Sequence, residues 1–449
     1  MVKSVEELLG LAEALVTAKG GNPLSYIQKV ILTEALLETK KTYDQIAEEN
    51  GYSPSYLKNG VAPHLWQLLS DVVGEKVTKA TCRCLLEREL ETQTIPKIFP
   101  ELVFTQPIIL ESPEGQVPLN SIFYIERSSS ELICYQEIQH QGTLLRIKAP
   151  RKMGKTSLMA RILDYAQQQN YHPVRLSLHL ASSLVFNSTE KFLRWFCANV
   201  TQQLGLESKI DEFWDEDVGA LVSSSLYFQG YLLEEIQQPI VLALDEVNQL
   251  FEYPSLARDV LALLRSWHEE TRDISNWQKL RFVIVYSTDI YIPLDTNKSP
   301  FNVGLGIDLH PFNLDQVQTL SRRYGLNLTE QELKELTEFV GGFPYLVRLA
   351  FDHCVRRNIP LPELLEQANT DTGIYSDHLH EQLWLLQQDP DLVTTYQQII
   401  ATTHPIKIEQ VKAFKLKSMG LIHINGNQVI PSCELYRQYF QECFREILY

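Results

Sequence analysis

The stretch LLRIKAPRKMGKTSLMARIL, residues 144–163, constrains this chain more than any other. An apolar run enters Ala149-Pro150-Arg151-Lys152-Met153-Gly154-Lys155-Thr156 and leaves with the spacing of an amphipathic helix. Strand, glycine-bearing turn and helix, in that order, make a phosphate-binding loop, because successive backbone N–H groups and the helix N-terminus converge on one anion. A lysine closing the turn neutralises β- and γ-phosphates, and the hydroxyl after it coordinates magnesium. Lys155 and Thr156 occupy those two positions, and the whole run Ala149–Thr156, with Ser157, is expected to contact the phosphates of a nucleotide. The usual first glycine is replaced by Ala149, which is tolerable where φ stays negative; Gly154 stands where the backbone must approach phosphate closely. The bland alternative is a chance Gly-Lys-Thr at the head of a helix.

The second half of such a site should be an apolar strand ending in acid. PIVLALDEVNQL supplies it, with Asp245 ninety positions after Lys155. Thr156 is expected to ligate the magnesium and Asp245 to hold it through water, and Glu246 to polarise the attacking water, with Lys155 completing the catalytic set. An acidic strand end at the surface is the alternative for this segment alone. RFVIVYSTD is a further strand, whose Ser287, Thr288 or Asp289 would sense hydrolysis beside the γ-phosphate, or would simply be polar loop residues.

These strands, with HPVRLSL, alternate with helix-like stretches from about 121 to 310. That rhythm predicts an α/β P-loop NTPase core, a parallel sheet with helices on both faces. Before it, residues 1–90 read as an all-α domain. In TYDQIAEENGYSPSYLKNGVAPHLW a small residue, Ala47, and Gly51 carry helix-turn-helix spacing, with Ser53 and Pro54 opening the next helix. Residues 91–120 hold five prolines and are expected as a linker. After the core, 311–380 read as a helical lid and 381–449 as a winged helix, with IHI and QVI flanking an Asn-Gly turn.

Charge argues against a protein held to nucleic acid by its overall field, since the formal net charge is −16. The seven cysteines, at 82, 84, 134, 197, 354, 433 and 443, have no zinc-ligand spacing and are expected as buried thiols. No apolar run approaches the roughly 20 residues that span a bilayer, and no secretory pattern opens the chain, which together point to the cytoplasm.

From Pro118 to about Phe440 the chain resembles the AAA-like ATPases common in cyanobacteria, relatives of the STAND and origin-recognition ATPases. The resemblance is carried by PLNSIFYIERSSSELICYQEI, IKAPRKMGKTSLM (Walker A), LALDEVNQLFEYP (Walker B), SPFNVGL, FVGGFPYLVRLA and LIHINGNQVIPSCELY. It implies that Tyr124, Ile125 and Arg127 stand in the box that lines the adenine site, although the usual glycine is missing from Ile125-Glu126-Arg127. It further implies that Pro344 packs on the nucleotide and that Arg348, one helical turn on, is a second sensor; a surface cation is the alternative for Arg348. Arg265, Arg322 and Arg323 are each available as a finger for a neighbouring protomer. The family logic is slow ATP turnover, with nucleotide state controlling partner binding or homo-oligomeric assembly.

The first ninety residues also resemble the helix-turn-helix-like adaptor of vWA–MoxR-associated proteins, proposed bacterial conflict or signalling cassettes. They carry ten Lys/Arg against twelve Asp/Glu, with chiefly Lys58 on the second helix. DNA recognition needs several phosphate contacts, so a protein-docking adaptor is favoured. The alternative, a DNA-associated ATPase of the origin-loading or transposition-regulator type, draws on Lys407, Lys412, Lys415 and Lys417. A third reading is a scaffold that uses nucleotide as a structural ligand.

Overall fold

The apolar runs become five parallel strands: β1 Leu144–Lys148, β2 His172–Ser177, β3 Ile240–Asp245, β4 Leu280–Tyr286 and β5 Leu305–Asp308. They lie in the order β2-β3-β4-β1-β5. In the computed structural model the described residues are 5–18, 24, 26–37, 41–50, 53–92, 110–127, 129–287 and 300–446. They fall into two units, Met1–Val103 and Phe104–Tyr449.

Both faces of the sheet are covered at its centre, where every residue of β3 and β4 is buried. Leu145, Ile147, Val241, Ala243, Val283 and Val285 face the helix Lys155–Gln168. Val174, Leu176, Leu242, Leu244, Phe282 and Ile284 face the helices Thr189–Gln203 and Pro254–Glu270, with Trp267 and Trp277 between them. The first of these cores continues without a break past residues 311 and 381, through Val340, Phe351, Tyr396, Tyr436 and Phe440. The lid helices and the C-terminal segment therefore share one core with the sheet. β2 is an edge strand, and the Gln203 side chain accepts from the Arg175 N–H and donates to the Arg175 carbonyl, both at 2.8 Å.

The C-terminal hairpin pairs β6 Ile422–Asn425 with β7 Gln428–Pro431, and Ile406 bridges Val429. Asn425 pairs with Gln428, so the two-residue turn is Gly426-Asn427, one position later than the expected Asn-Gly turn. Gly426 at its first position has φ 60°, the left-handed conformation that a glycine enters without steric cost.

In the N-terminal unit the helices Val5–Ala18, Tyr26–Leu36, Tyr43–Asn50 and Cys82–Thr92 pack with a helix that begins at Pro54 and runs through a widened turn, Leu57–Val61, into Ala62–Val73. Ala47 is fully buried there, as the helix-turn-helix spacing requires. Residues 110–120, grouped with the linker by their prolines, are tied to the core: the Val117 N–H donates to Ser157 Oγ at 3.0 Å, and Arg161 holds the carbonyls of Val117 and Pro118. Five cysteines are buried, whereas Cys84 is exposed and Cys443 half-buried, which departs from the expectation of seven buried thiols. Among the described residues no helix is long and apolar enough to cross a membrane.

Candidate functional site

Parallel strands bring their carboxyl ends to one edge, which is where open α/β sheets bind ligands. A cavity of about 670 Å³ opens there, within the range of small-ligand sites. It is lined by Arg151, Lys152, Gly154, Lys155, Thr156 and Ser157 of the loop, Asp245 and Glu246 at the end of β3, Tyr124, Ile125 and Arg127, and Pro344 and Arg348 of the lid.

The loop is shaped by Lys152 and Gly154, at φ 62° and 90°, before the helix begins at Lys155. Lys155 Nζ donates across the loop to the Pro150 carbonyl at 2.9 Å. Burial pushes its amine down to about 8, against the pull of Glu246 and Asp245, and an arriving phosphate would push it up again. Ala149 and Met153 point into the core rather than the cavity, and Pro150 lies against Gly420 of the C-terminal segment.

Arg127 braces the loop from behind. Its Nη2 donates to the Met153 carbonyl at 2.6 Å, its Nε to the His310 carbonyl at 3.2 Å, and its guanidinium stacks 5.1 Å from the centre of the Phe312 ring. Glu131 accepts from the Arg127 N–H and the Tyr124 hydroxyl, and Arg161 lies 3.3 Å from the Tyr124 ring centre. Tyr124 thus presents an immobilised aromatic wall.

Asp245 Oδ1 accepts from the Glu246 N–H at 3.1 Å and lies 3.5 Å from Thr156 Oγ1. Hard oxygen donors suit magnesium, and Thr156, with Asp245 acting through water, would hold that ion here. Burial raises the Asp245 carboxyl, Glu246 adds to the rise, and Arg175 opposes it. Glu246 has φ 57°, a left-handed conformation that costs a non-glycine residue about 1–3 kcal/mol and turns its carboxylate toward the cavity rim, 3.8 Å from His179 Nε2.

Arg348 is buried, not a surface cation; Nη2 meets Glu111 Oε2 at 3.1 Å and Nε the Tyr324 hydroxyl at 3.2 Å. Ser287 is buried outside the cavity lining, its N–H on Asn248 Oδ1; Thr288 and Asp289 lie outside the described residues. Of the three finger candidates, Arg323 grips the carbonyls of Ile122 and Tyr124, Arg265 pairs with Glu269, and Arg322 is exposed.

Several cavity residues escape a motif-based reading. Residues 113–117 form one wall as a strap. Arg175 of β2 meets Asp245 at 3.2 Å, and the signal for it was an arginine between the apolar Val174 and Leu176 of a strand. Glu381, on the helix Ser376–Gln387 and outside the cavity lining, pairs with Arg151 and Lys152 of the loop, each at 3.0 Å. Burial pushes the Glu381 carboxyl up, but Lys152 and Arg151 hold it below the usual carboxylate range.

Comparison with known proteins agrees with this geometry. Residues 112–442 match the family model of the AAA-like domain, and residues 3–89 that of the vWA-MoxR associated protein N-terminal HTH. No curated protein sequence matches. Among solved structures, the Walker-type ATPase of Pyrococcus abyssi is similar in fold, at 16% identity and a TM-score of 0.52 over 72% of this chain and 100% of that one. The Aeropyrum pernix ORC2 protein aligns at 14% identity and 0.42 over 72% and 98%. A STAND protein of Pyrococcus horikoshii aligns at 16% and 0.30 over 75% and 44%. A phosphate-binding loop at the mouth of a β2-β3-β4-β1-β5 sheet, under a lid contained in the same family match, establishes that this chain belongs to the AAA-like domain family of P-loop ATPases, with a vWA–MoxR-associated helix-turn-helix ahead of it.

Proposed function

We propose that the chain is a slow ATP-driven switch whose nucleotide state controls the binding of a partner protein through the N-terminal adaptor, or its own assembly, in bacterial cytoplasmic signalling or conflict response. The observation that carries this reading is that Pro344 and Arg348 of the lid line the same cavity as Lys155, Thr156, Asp245 and Glu246. A ligand shifts a conformational equilibrium only by its differential affinity for the two states, and a nucleotide touching both sheet and lid has a basis for such a difference.

In this reading Lys155 holds the β- and γ-phosphates, and Thr156 and Asp245 hold magnesium, which supplies charge neutralisation when bound. Glu246 orients and deprotonates the attacking water. Tyr124 and Ile125 flank the base, Arg127 keeps the loop in register, and Ser287 supports the end of β4 as a sensor strand. The units of action are the adaptor 1–90, the core 121–310, the lid 311–380 and the C-terminal winged helix 381–449. The DNA-associated alternative is weakened because Lys412 and Lys415 are paired with Glu409 and Asp389.

The deciding measurement is ATP and ADP affinity, turnover and mass in solution for the parent and Lys155→Ala. Magnesium-dependent binding lost in the variant, with slow turnover and ATP-dependent assembly or partner capture, is expected. Equal binding by both proteins would sink the assignment of the loop.

A further inference from the structure

Arg175 sits in mid-strand on β2, opposite Ala243, on the sheet face whose Ala243 packs toward the P-loop helix, while its neighbours Val174 and Leu176 enter the opposite core. Its guanidinium reaches forward to the end of the neighbouring strand, Nη2 at 3.2 Å from Asp245 Oδ2, and Nη1 donates to Gln116 Oε1 at 2.7 Å. Gln203 fixes the backbone at this residue, so any movement belongs to the side chain. That side chain is 37% exposed, against 4% for Asp245.

The two oxygens of Asp245 are divided: Oδ1 faces Thr156 and Oδ2 faces Arg175. A divalent ion seated between Thr156 and Asp245 would compete with the guanidinium for this carboxylate and repel it. The guanidinium would then be drawn to an additional anion, and its planar fork matches the oxygens of a phosphate. Its other partner, the Gln116 carboxamide, is neutral and strands no charge when released.

We propose that Arg175 discriminates ATP from ADP: it rests on Asp245 without a third phosphate and moves to that phosphate when magnesium and ATP fill the cavity. The inference rests on the nucleotide reading of the site given above. It makes the edge strand, and not only the loop and lid, part of the recognition of the triphosphate.

The test uses the full chain, its Arg175→Gln and Arg175→Lys variants, and calorimetry with magnesium and either ADP or a non-hydrolysable ATP analogue. Arg175→Gln should lose about tenfold or more in affinity for the analogue, as expected for a charge-assisted hydrogen bond, while ADP affinity stays within about twofold. Arg175→Lys, which keeps the charge, should recover part of the difference, and the melting temperature of each variant reports folding. Equal losses for both nucleotides would reduce Arg175 to a support for Asp245, and unchanged affinities would leave it no part in recognition; either overturns the proposal. A parent chain that binds neither nucleotide overturns the reading of the cavity itself, an outcome visible before any variant is compared.

Discussion

Glu381 joins the C-terminal segment to the loop that faces the cavity, and replacing it with glutamine removes the charge while keeping the shape. The three side chains involved are about one-third to one-half exposed, at 35% for Glu381, 45% for Arg151 and 31% for Lys152. After solvent screening each such pair contributes about 0.2–1 kcal/mol, so the two together hold the nucleotide-free chain by about 1 kcal/mol. Arg151 and Lys152 also line the cavity. If phosphates draw these cations away, the parent gives up the latch on binding, whereas Glu381→Gln has none to give up. The free variant should therefore unfold about 1 kcal/mol more easily and bind magnesium–ADP about fivefold more tightly, since 1.4 kcal/mol is a factor of ten. Denaturant melts with and without nucleotide measure one side of this cycle and calorimetry the other; both differences should shrink at high salt. Equal destabilisation of free and bound protein, with unchanged affinity, would refute the competition and show that the latch persists under nucleotide.

Glu246→Gln should bind ATP like the parent but hydrolyse it at least about 100-fold more slowly, and parental turnover in this variant would remove Glu246 as the base. Gly342 has φ 66°, and a Cβ there would stand 2.3 Å from the Phe312 carbonyl, so Gly342→Ala should cost about 2–4 kcal/mol; an unchanged melting temperature would contradict this close approach of the two backbones. His378, buried against Tyr436 and near Lys152, has its imidazole pushed down to about 3, chiefly by burial. The unfolded chain binds that proton below about pH 6.5 and the folded chain does not, so its contribution is complete above pH 6.5 and declines by about 1.4 kcal/mol per unit as pH falls toward 3. His378→Phe should flatten the stability–pH curve between pH 6.5 and 5, whatever its effect at neutral pH; an identical slope would contradict the neutral state.

The strongest parts of the fold were legible because they are local. The loop, the acidic end of β3 and four of the five strands each announce themselves within about ten residues by apolar run and turn chemistry. β5 did not, since Leu305–Asp308 is four residues long and includes a glycine. The prolines at 113 and 118 read as linker composition, yet their segment is pinned by Ser157 and Arg161, partners some forty positions away that no local pattern announces. Arg348 was ambiguous and Glu381 went unread for the same reason: whether a charge on an amphipathic helix is solvated depends on what the rest of the chain brings against it, here Glu111 for one and the loop cations for the other.

A parallel sheet that ends in an uncovered strand offers its free N–H and C=O groups to any extended chain that can add alongside. At Arg175 both groups are already committed to Gln203. A foreign strand would have to displace a bidentate carboxamide before it could continue the ladder at that point. The glutamine thus acts as a molecular stopper against edge-to-edge pairing at that point of the strand.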